Sequence, residues 1–299
     1  MLDNIEQRYI LVGDVTLHVV LAGPEDGEPI ILLHGFPEFW YGWKHQIPVL
    51  AEQGYRVIVP DQRGYNLSDK PRGVDAYQLD TLAEDVVGLA DALGYDTFYL
   101  VGHDWGAAVA WWVATLHAER LRKLVILNVP YPTIMIEQMT QKNIGQFLKS
   151  WYIGFFQIPF MPETLASLGD YAGMATMLRQ SSKPDTFSDA DIEQYRRAWS
   201  QPDALKSMIN WYRAMGSSAM NNNLSKPRRI STPTLMLWGE QDIALGKELA
   251  EPSIRVCDDG ELIFYPNATH WLQHDEPQSV NEEILRFLRQ TIPVEPTGA

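Results

Sequence analysis

The stretch Leu100-Val101-Gly102-His103-Asp104-Trp105-Gly106-Ala107 carries the most chemistry in the chain. It reads as a buried strand, a glycine-flanked turn and the start of a helix, the G-x-Nu-x-G pattern that presents a nucleophile at a sharp bend. The residue at the bend is Asp104, where a serine more often stands. A helix starting just after it points backbone N–H groups and the positive end of its dipole at the carboxylate, which favours the ionised form. A plain strand-to-helix turn with Asp as a cap would look the same in isolation, so the companions decide.

Chemistry at such a bend needs donors for the charge that develops on a carbonyl oxygen. Leu32-Leu33-His34-Gly35-Phe36-Pro37 forms a loop directly after another apolar run. The backbone N–H groups of Phe36 and Trp105 are the expected oxyanion donors. His34 in that turn reads as a structural hydrogen-bonder rather than a base. The remaining members are expected in the order nucleophile, acid, base. Trp238-Gly239-Glu240-Gln241-Asp242 follows one later run, and Pro266-Asn267-Ala268-Thr269-His270-Trp271 follows the last. Asp242 is expected to orient His270, and His270 to activate water. Glu240 competes as the acid but sits closer to the strand. A single Asp or His in a loop is usually only solvated; three in this order, each after a strand, are a specific signal.

His18, His45, His103 and His117 have no spaced partners and read as structural. His270 and His274 stand four apart, a spacing that suits a metal on a helix. No third ligand is near and the setting is a loop, so no metal is expected.

These residues need elements to hold them. Apolar runs at 29–33, 56–59, 98–101, 123–127, 234–238 and 261–265 are continuous rather than alternating, which marks strands buried on both faces of a parallel sheet. The stretches 8–12 and 15–21, joined through Gly13-Asp14, read as a hairpin. Leu79, Leu82, Val86, Leu89 and Leu93 repeat at helical spacing before Gly94. Residues 107–120 read as a helix apolar nearly all round, and Val280, Ile284, Phe287 and Leu288 mark a closing amphipathic helix. Strand and helix alternating in this way give a doubly wound α/β class. Between about residues 131 and 228 the alternation breaks into helical segments rich in Met, Trp, Tyr and Phe. The expected organisation is a core of 1–130 and 229–299 with a helical lid inserted at 131–228. The lid's aromatic and Met residues imply an apolar pocket, with Phe36, Trp105 and Trp271 as walls.

Composition narrows the partners. The 299 residues are 45% hydrophobic and 21% charged, which is ordinary for a globular chain; disorder is expected only at the ends, such as 293–299. A formal charge of −14 disfavours nucleic acid and anionic membrane surfaces, both of which need clustered Lys and Arg. The one cysteine, Cys257, allows no internal disulfide and suits a reducing compartment. Met1-Leu2-Asp3-Asn4-Ile5-Glu6 lacks the basic and apolar regions of a signal peptide. The longest clean apolar run, 107–116, falls far short of the roughly 20 residues that span a bilayer. A cytoplasmic protein without membrane insertion is expected; composition does not fix its oligomeric state.

Over essentially its whole length the chain resembles the α/β-hydrolase-fold epoxide hydrolases. His34-Gly35-Phe36-Pro37-Glu38-Phe39-Trp40-Tyr41-Gly42-Trp43 is similar to that family's extended oxyanion-loop motif, and Gly102-His103-Asp104-Trp105-Gly106 to its nucleophile motif. Asp61-Gln62-Arg63-Gly64-Tyr65 matches the next turn, with Asn66 where glycine is common. His270-Trp271 matches the base position, with Thr269 replacing the more usual glycine, a change expected to matter little. The resemblance implies an α/β-hydrolase fold, a mostly parallel sheet flanked by helices with an inserted lid. It also implies that two lid tyrosines hydrogen-bond the epoxide oxygen; the matching positions are Tyr152 and Tyr212. The implied reaction converts a small apolar epoxide and water to a vicinal diol through an alkyl ester on Asp104, without a cofactor.

Two other readings stand beside it. A haloalkane dehalogenase uses the same Asp nucleophile and often the same Trp, but Phe36 offers no side-chain donor for a halide and the two tyrosines would have no purpose. A non-catalytic binder on the same fold would be expected to have lost one of Asp104, Asp242 or His270, and all three are present.

Overall fold

Each continuous apolar run becomes a strand of one sheet. A computed structural model describes residues 5–140, 149, 151–215 and 229–290. The strands are β1 (Glu6–Val12), β2 (Val15–Ala22), β3 (Glu28–Leu33), β4 (Tyr55–Pro60), β5 (Phe98–His103), β6 (Leu121–Leu127), β7 (Thr234–Gly239) and β8 (Gly260–Tyr265). They lie in the order β1-β2-β4-β3-β5-β6-β7-β8. β1 and β2 form the expected hairpin, β2 runs antiparallel to β4, and the pairs from β4 to β8 are all parallel.

The helices in chain order are α1 (Gln46–Glu52), α2 (Leu79–Ala92), α3 (Trp105–Leu116), α4 (Pro132–Thr140), α5 (Trp151–Phe156), α6 (Met161–Ser181), α7 (Asp189–Trp199), α8 (Ala204–Met215), α9 (Ala250–Ile254), α10 (Leu272–Asp275) and α11 (Pro277–Arg289). Side chains of a strand alternate between faces, and β5 distributes its residues accordingly. Phe98 and Leu100 join a core with Leu82, Val86 and Leu89 of α2 and Val109 and Val113 of α3. Tyr99 and Val101 join the opposite core with Ile47 and Leu50 of α1 and Val280, Ile284 and Phe287 of α11. Both faces are covered, which is why the strand sequences show no polar alternation.

Helix α3 differs from its expected span. It starts at Trp105, because only Asp104 separates it from β5, and it ends at Leu116 where His117 leaves helical geometry at φ −136. A short 3₁₀ turn at Ala118–Arg120 then leads into β6.

The parallel register brings several strand ends to one edge of the sheet. Leu33 pairs with Gly102, His103 with Leu127, Leu127 with Leu237, and Gly239 with Tyr265. Loops leaving β3, β5, β6, β7 and β8 therefore meet, which is the place where open α/β sheets bind ligands. Between β6 and β7 the described residues form helices and turns, with no strand. Helices α7 and α8 are seated on core loops by buried indoles. Trp199 Nε1 donates to the Pro37 carbonyl at 2.6 Å and Trp211 Nε1 to that of Arg63 at 3.1 Å. Among the described residues no helix is long and apolar enough to cross a membrane.

Leu100 is fully buried in β5 at the centre of the sheet. Leu100→Ala is expected to lower unfolding stability by about 2–5 kcal/mol, measured by urea denaturation; a loss below about 1 kcal/mol would contradict this packing.

Candidate active site

β5 ends at His103 and α3 begins at Trp105, leaving Asp104 alone at the bend with φ 50 and ψ −126. Such a conformation costs a residue with a side chain about 1–3 kcal/mol. The surroundings hold it there. The N–H groups of Ala107 and Ala108 donate to the Asp104 carbonyl at 2.9 and 3.1 Å. Gly106 lets α3 approach β3 so closely that a Cβ would fall 2.2 Å from the Leu33 carbonyl oxygen. At Gly35 a Cβ would fall 2.3 Å from Asp104 Oδ1. The space it leaves admits the Phe36 N–H, which donates to Asp104 Oδ1 at 2.6 Å. Of the two expected oxyanion donors, Phe36 thus reaches the carboxylate directly. Trp105, the first residue of α3, lines a cavity together with Asp104.

His270 stands between two carboxylates. Its Nδ1–H donates to Asp242 Oδ2 at 2.7 Å, and its Nε2 faces Asp104 Oδ2 at 3.3 Å. Asp242 is anchored in turn: Oδ1 accepts the N–H groups of Ala244 and Leu245 at 2.8 and 2.9 Å. Oδ2 also accepts Asn128 Nδ2 at 2.9 Å. Glu240, the competing acid, instead pairs with Lys247 at the surface.

Burial acts against every charge here, and the partners overrule it. Burial raises the Asp104 pKa, but the hydrogen bond and charge of His270, the charge of His103 and the Phe36 N–H bring it below the ordinary value. Asp242 is lowered on the same balance, by the His270 charge and hydrogen bond and the donors just named. Burial pulls His270 down, yet the charge of Asp242 and the hydrogen bonds to both carboxylates hold it well above its usual value. The three shifts agree in direction, each favouring an imidazolium set between two carboxylates.

Tyr152 from α5 and Tyr212 from α8 line the same cavity as Asp104 and Trp105. Their rings are 5.9 Å apart and edge to face, and the Tyr212 ring is 5.1 Å from that of Trp105. Burial, followed by the Asp104 charge, raises both phenols above their ordinary range, so both keep their protons. Most other lining residues are apolar, among them Leu79, Val129, Met135, Ile136 and Met215.

Two expected walls lie elsewhere. The Phe36 ring packs against Phe156 and Tyr212 rather than lining the cavity. Trp271 is not among the residues lining the cavity, and its Nε1–H donates to buried Ser181 Oγ at 2.8 Å.

Other residues escaped the sequence reading. Asn128 had no motif around it. Glu38 is fully buried and accepts Tyr195 Oη and His274 Nε2, both at 2.7 Å, and Gln273 Nε2 at 2.9 Å. Burial raises its pKa, but His274 and His103 bring it well below the usual value. His103 is 3.2 Å from Glu38 Oε2 through Nδ1, and its Nε2–H donates to the His270 carbonyl at 2.8 Å. It is thus a neighbour of the site rather than an isolated core histidine. His34 is structural as expected: Nε2 accepts the Gln62 N–H at 3.1 Å. His18 pairs with Asp61 at 2.7 Å and His117 with Glu84 at 2.9 Å. Burial lowers His45 to about 4. Among the described residues no group of three or more His, Cys, Asp or Glu side chains could hold a metal ion.

Comparison with known proteins finds relatives that share this fold. A model of a family described as alpha/beta hydrolase fold matches residues 28–277. The AB hydrolase superfamily protein YfhM of Bacillus subtilis is 44% identical over 96% of this chain and 99% of its own length. Epoxide hydrolase 4 of Homo sapiens is 39% identical over 94% of this chain and 78% of its own length. A crystal structure of Bacillus megaterium epoxide hydrolase in complex with an inhibitor superposes with a TM-score of 0.86 at 30% identity, covering 95% of this chain and all of the other.

The raised His270 pKa has a testable consequence. Its ring nitrogens, followed by NMR, are expected to titrate above the unfolded value of about 6.5, and Asp242→Asn to move the midpoint to lower pH. Because the folded value is the higher one, the stability this charge provides is complete below about pH 6.5 and is lost as pH rises through the folded value. A midpoint unchanged by Asp242→Asn would contradict the charge coupling.

Proposed function

The chain belongs to the α/β-hydrolase-fold family, and from that membership we propose that it hydrolyses epoxides to vicinal diols through a covalent ester on Asp104. The single observation that carries this reading is the pair of protonated phenols sharing one apolar cavity with a carboxylate backed by an imidazole. An esterase has no need of phenol donors opposite its nucleophile. An epoxide does, because opening the ring leaves an alkoxide that must take a proton.

In the first step Asp104 Oδ2 or Oδ1 attacks a ring carbon, the carbon–oxygen bond breaks, and a Tyr152 or Tyr212 phenol gives its proton to the departing oxygen. Such acid catalysis is typically worth about 10²- to 10⁴-fold in rate. The carboxylate becomes a neutral ester and the phenol a phenolate. His270 then loses the Asp104 charge and hydrogen bond that helped raise its pKa. Its proton passes to the phenolate, directly or through water, which restores the phenol and leaves a neutral imidazole. In the second step that imidazole takes a proton from water, which attacks the ester carbonyl of Asp104. The Phe36 and Trp105 N–H groups serve the developing oxyanion. Collapse releases the diol and restores the ion pair of Asp104 with protonated His270. Protons and charges balance without a cofactor.

We assign residues 131–228 the role of lid over the core formed by 1–130 and 229–299. The lid supplies the two phenols and apolar lining such as Met135, Ile136 and Met215. An uncharged, apolar epoxide is the substrate this lining accommodates, since it offers no partner to a second charged group.

One turnover in ¹⁸O-water, followed by peptide mass analysis, is expected to place label in the Asp104 carboxylate. Label absent after several turnovers would rule out the ester. Across a panel of epoxides and haloalkanes, diol formation is expected without halide release; the reverse pattern would reject the assignment.

Tyr152→Phe and Tyr212→Phe are each expected to slow ring opening, and the double variant to lose most of the roughly 10²- to 10⁴-fold contribution of the acid, read as the single-turnover alkylation rate. An unchanged rate in the double variant would remove the phenols from the mechanism.

A further inference from the structure

Thr269 stands where the resembling family more usually has glycine, and its side chain is fully engaged. Its Oγ1–H donates to Asp275 Oδ2 at 2.5 Å, and its N–H donates to the same oxygen at 2.8 Å. Thr269 Oγ1 in turn accepts the N–H of Trp271 at 3.2 Å. The residues before and after His270 are therefore tied, through one hydroxyl, to one carboxylate. The Asp275 N–H closes the turn on the Trp271 carbonyl at 2.8 Å.

The second oxygen of that carboxylate faces a different part of the chain. Asp275 Oδ1 accepts Thr186 Oγ1 at 2.9 Å and the Lys183 N–H at 3.2 Å. Both donors lie between α6 and α7, in the excursion that carries Tyr152 and Tyr212. The same segment meets this loop twice more, through Ser181 Oγ accepting the Trp271 indole and through Lys183 Nζ pairing with Glu276. A carboxylate with four donors, two beside His270 and two from the excursion, cannot release one side without loosening the other. The Thr269 hydroxyl completes the connection.

We propose that Asp275 and Thr269 are positioning residues that tie the seating of the 183–186 segment to the placement of His270. They act through His270 and touch no reacting atom. The inference rests on the reaction proposed above and concerns its second half. Ring opening uses Asp104 and the two phenols, and needs His270 only as the nearby positive charge that keeps Asp104 ionised, an attraction that varies slowly with a small shift in distance. Ester hydrolysis needs the His270 Nε2 within hydrogen-bond reach of a water that is itself aimed at the ester carbonyl, and misplacement by about 1 Å can cost on the order of 10²-fold. Loosening the clamp therefore slows hydrolysis selectively and lets the ester accumulate.

The test is a rapid-quench experiment on the full chain with styrene oxide, or with whichever epoxide of the panel is turned over fastest. Intact-protein mass gives the alkylated fraction against time, and with it the alkylation and hydrolysis rates separately. Thr269→Ala and Thr186→Ala, from two distant segments, are each expected to slow hydrolysis roughly ten- to a hundredfold and to leave alkylation within about twofold. Thr269→Ser, which keeps the hydroxyl, is expected to restore hydrolysis. Asp275→Asn should show the same split more strongly; if it does not fold, the two threonine variants decide. Equal slowing of both steps would mean a merely structural role, and unchanged rates or failure of Thr269→Ser to rescue would overturn the proposal. If the parent chain forms no ester, the proposed reaction fails first; if it forms one and the variants partition normally, only the positioning role fails.

Discussion

In the proposed reaction the Asp104 carboxylate has to stay charged although it is largely buried, and its pairing with His270 meets that demand. Burial alone would protonate the acid and disarm it. The hydrogen bond and charge of His270, 3.3 Å away, reverse that tendency, and the charge of Asp242 on its other side, together with Asp104 itself, raises His270 in turn. Asp242 is held below its ordinary value first by the His270 charge and hydrogen bond, with the Leu245 N–H and Asn128 adding to them. Asp104, His270 and Asp242 thus hold one another's charges, with the loop backbone and Asn128 anchoring the far end. Each link turns a charge that would be expensive in isolation into a neighbour's stabilisation.

This also explains why the site sits at one end of the sheet. Asp104, Asp242 and His270 come from loops leaving β5, β7 and β8, and Phe36 comes from the loop leaving β3. Parallel register places those loops side by side. The Asp104 charge is then the quantity that both halves of the proposed reaction respond to. While present, it raises His270 and both phenols, keeping a proton on every group that faces it. In the proposed reaction, forming the ester would remove that influence and leave the imidazole as the base for the second step.

Much of this was legible in the sequence, for a physical reason. Strands buried on both faces must be apolar throughout, so the runs at 98–101 and 123–127 could be read as parallel-sheet strands. The bend at Asp104 needs glycine nearby, and its companions must follow particular strands. Less legible were contacts made by side chains from distant segments. Glu38 gathers Tyr195, His274 and Gln273 from positions far along the chain, and no spacing rule records that. Trp271 was misjudged as a pocket wall because an indole is both apolar surface and hydrogen-bond donor; its position next to the base gave no sign that Ser181 would capture the N–H. The start of α3 was placed two residues late because the apolar pattern begins after the glycine, whereas the backbone turns helical directly after Asp104.

Asn128 shows how much one unmarked residue can contribute. β6 ends at Leu127, and the next residue has φ 55, the left-handed region in which Asn is among the least costly residues after glycine. Glycine would satisfy the backbone but remove one of the two donors to Asp242 Oδ2, leaving only the His270 Nδ1–H. Aspartate would satisfy the backbone and set a second negative charge against that same oxygen. Asparagine alone among these gives both kinds of group: its Nδ2 donates to Asp242 while its Oδ1 accepts the Gly239 N–H at 2.9 Å. The end of β6 is thereby fixed to the end of β7 and to the acid that follows it. A single amide thus links the backbone turn after one strand to the electrostatics of the base two strands away.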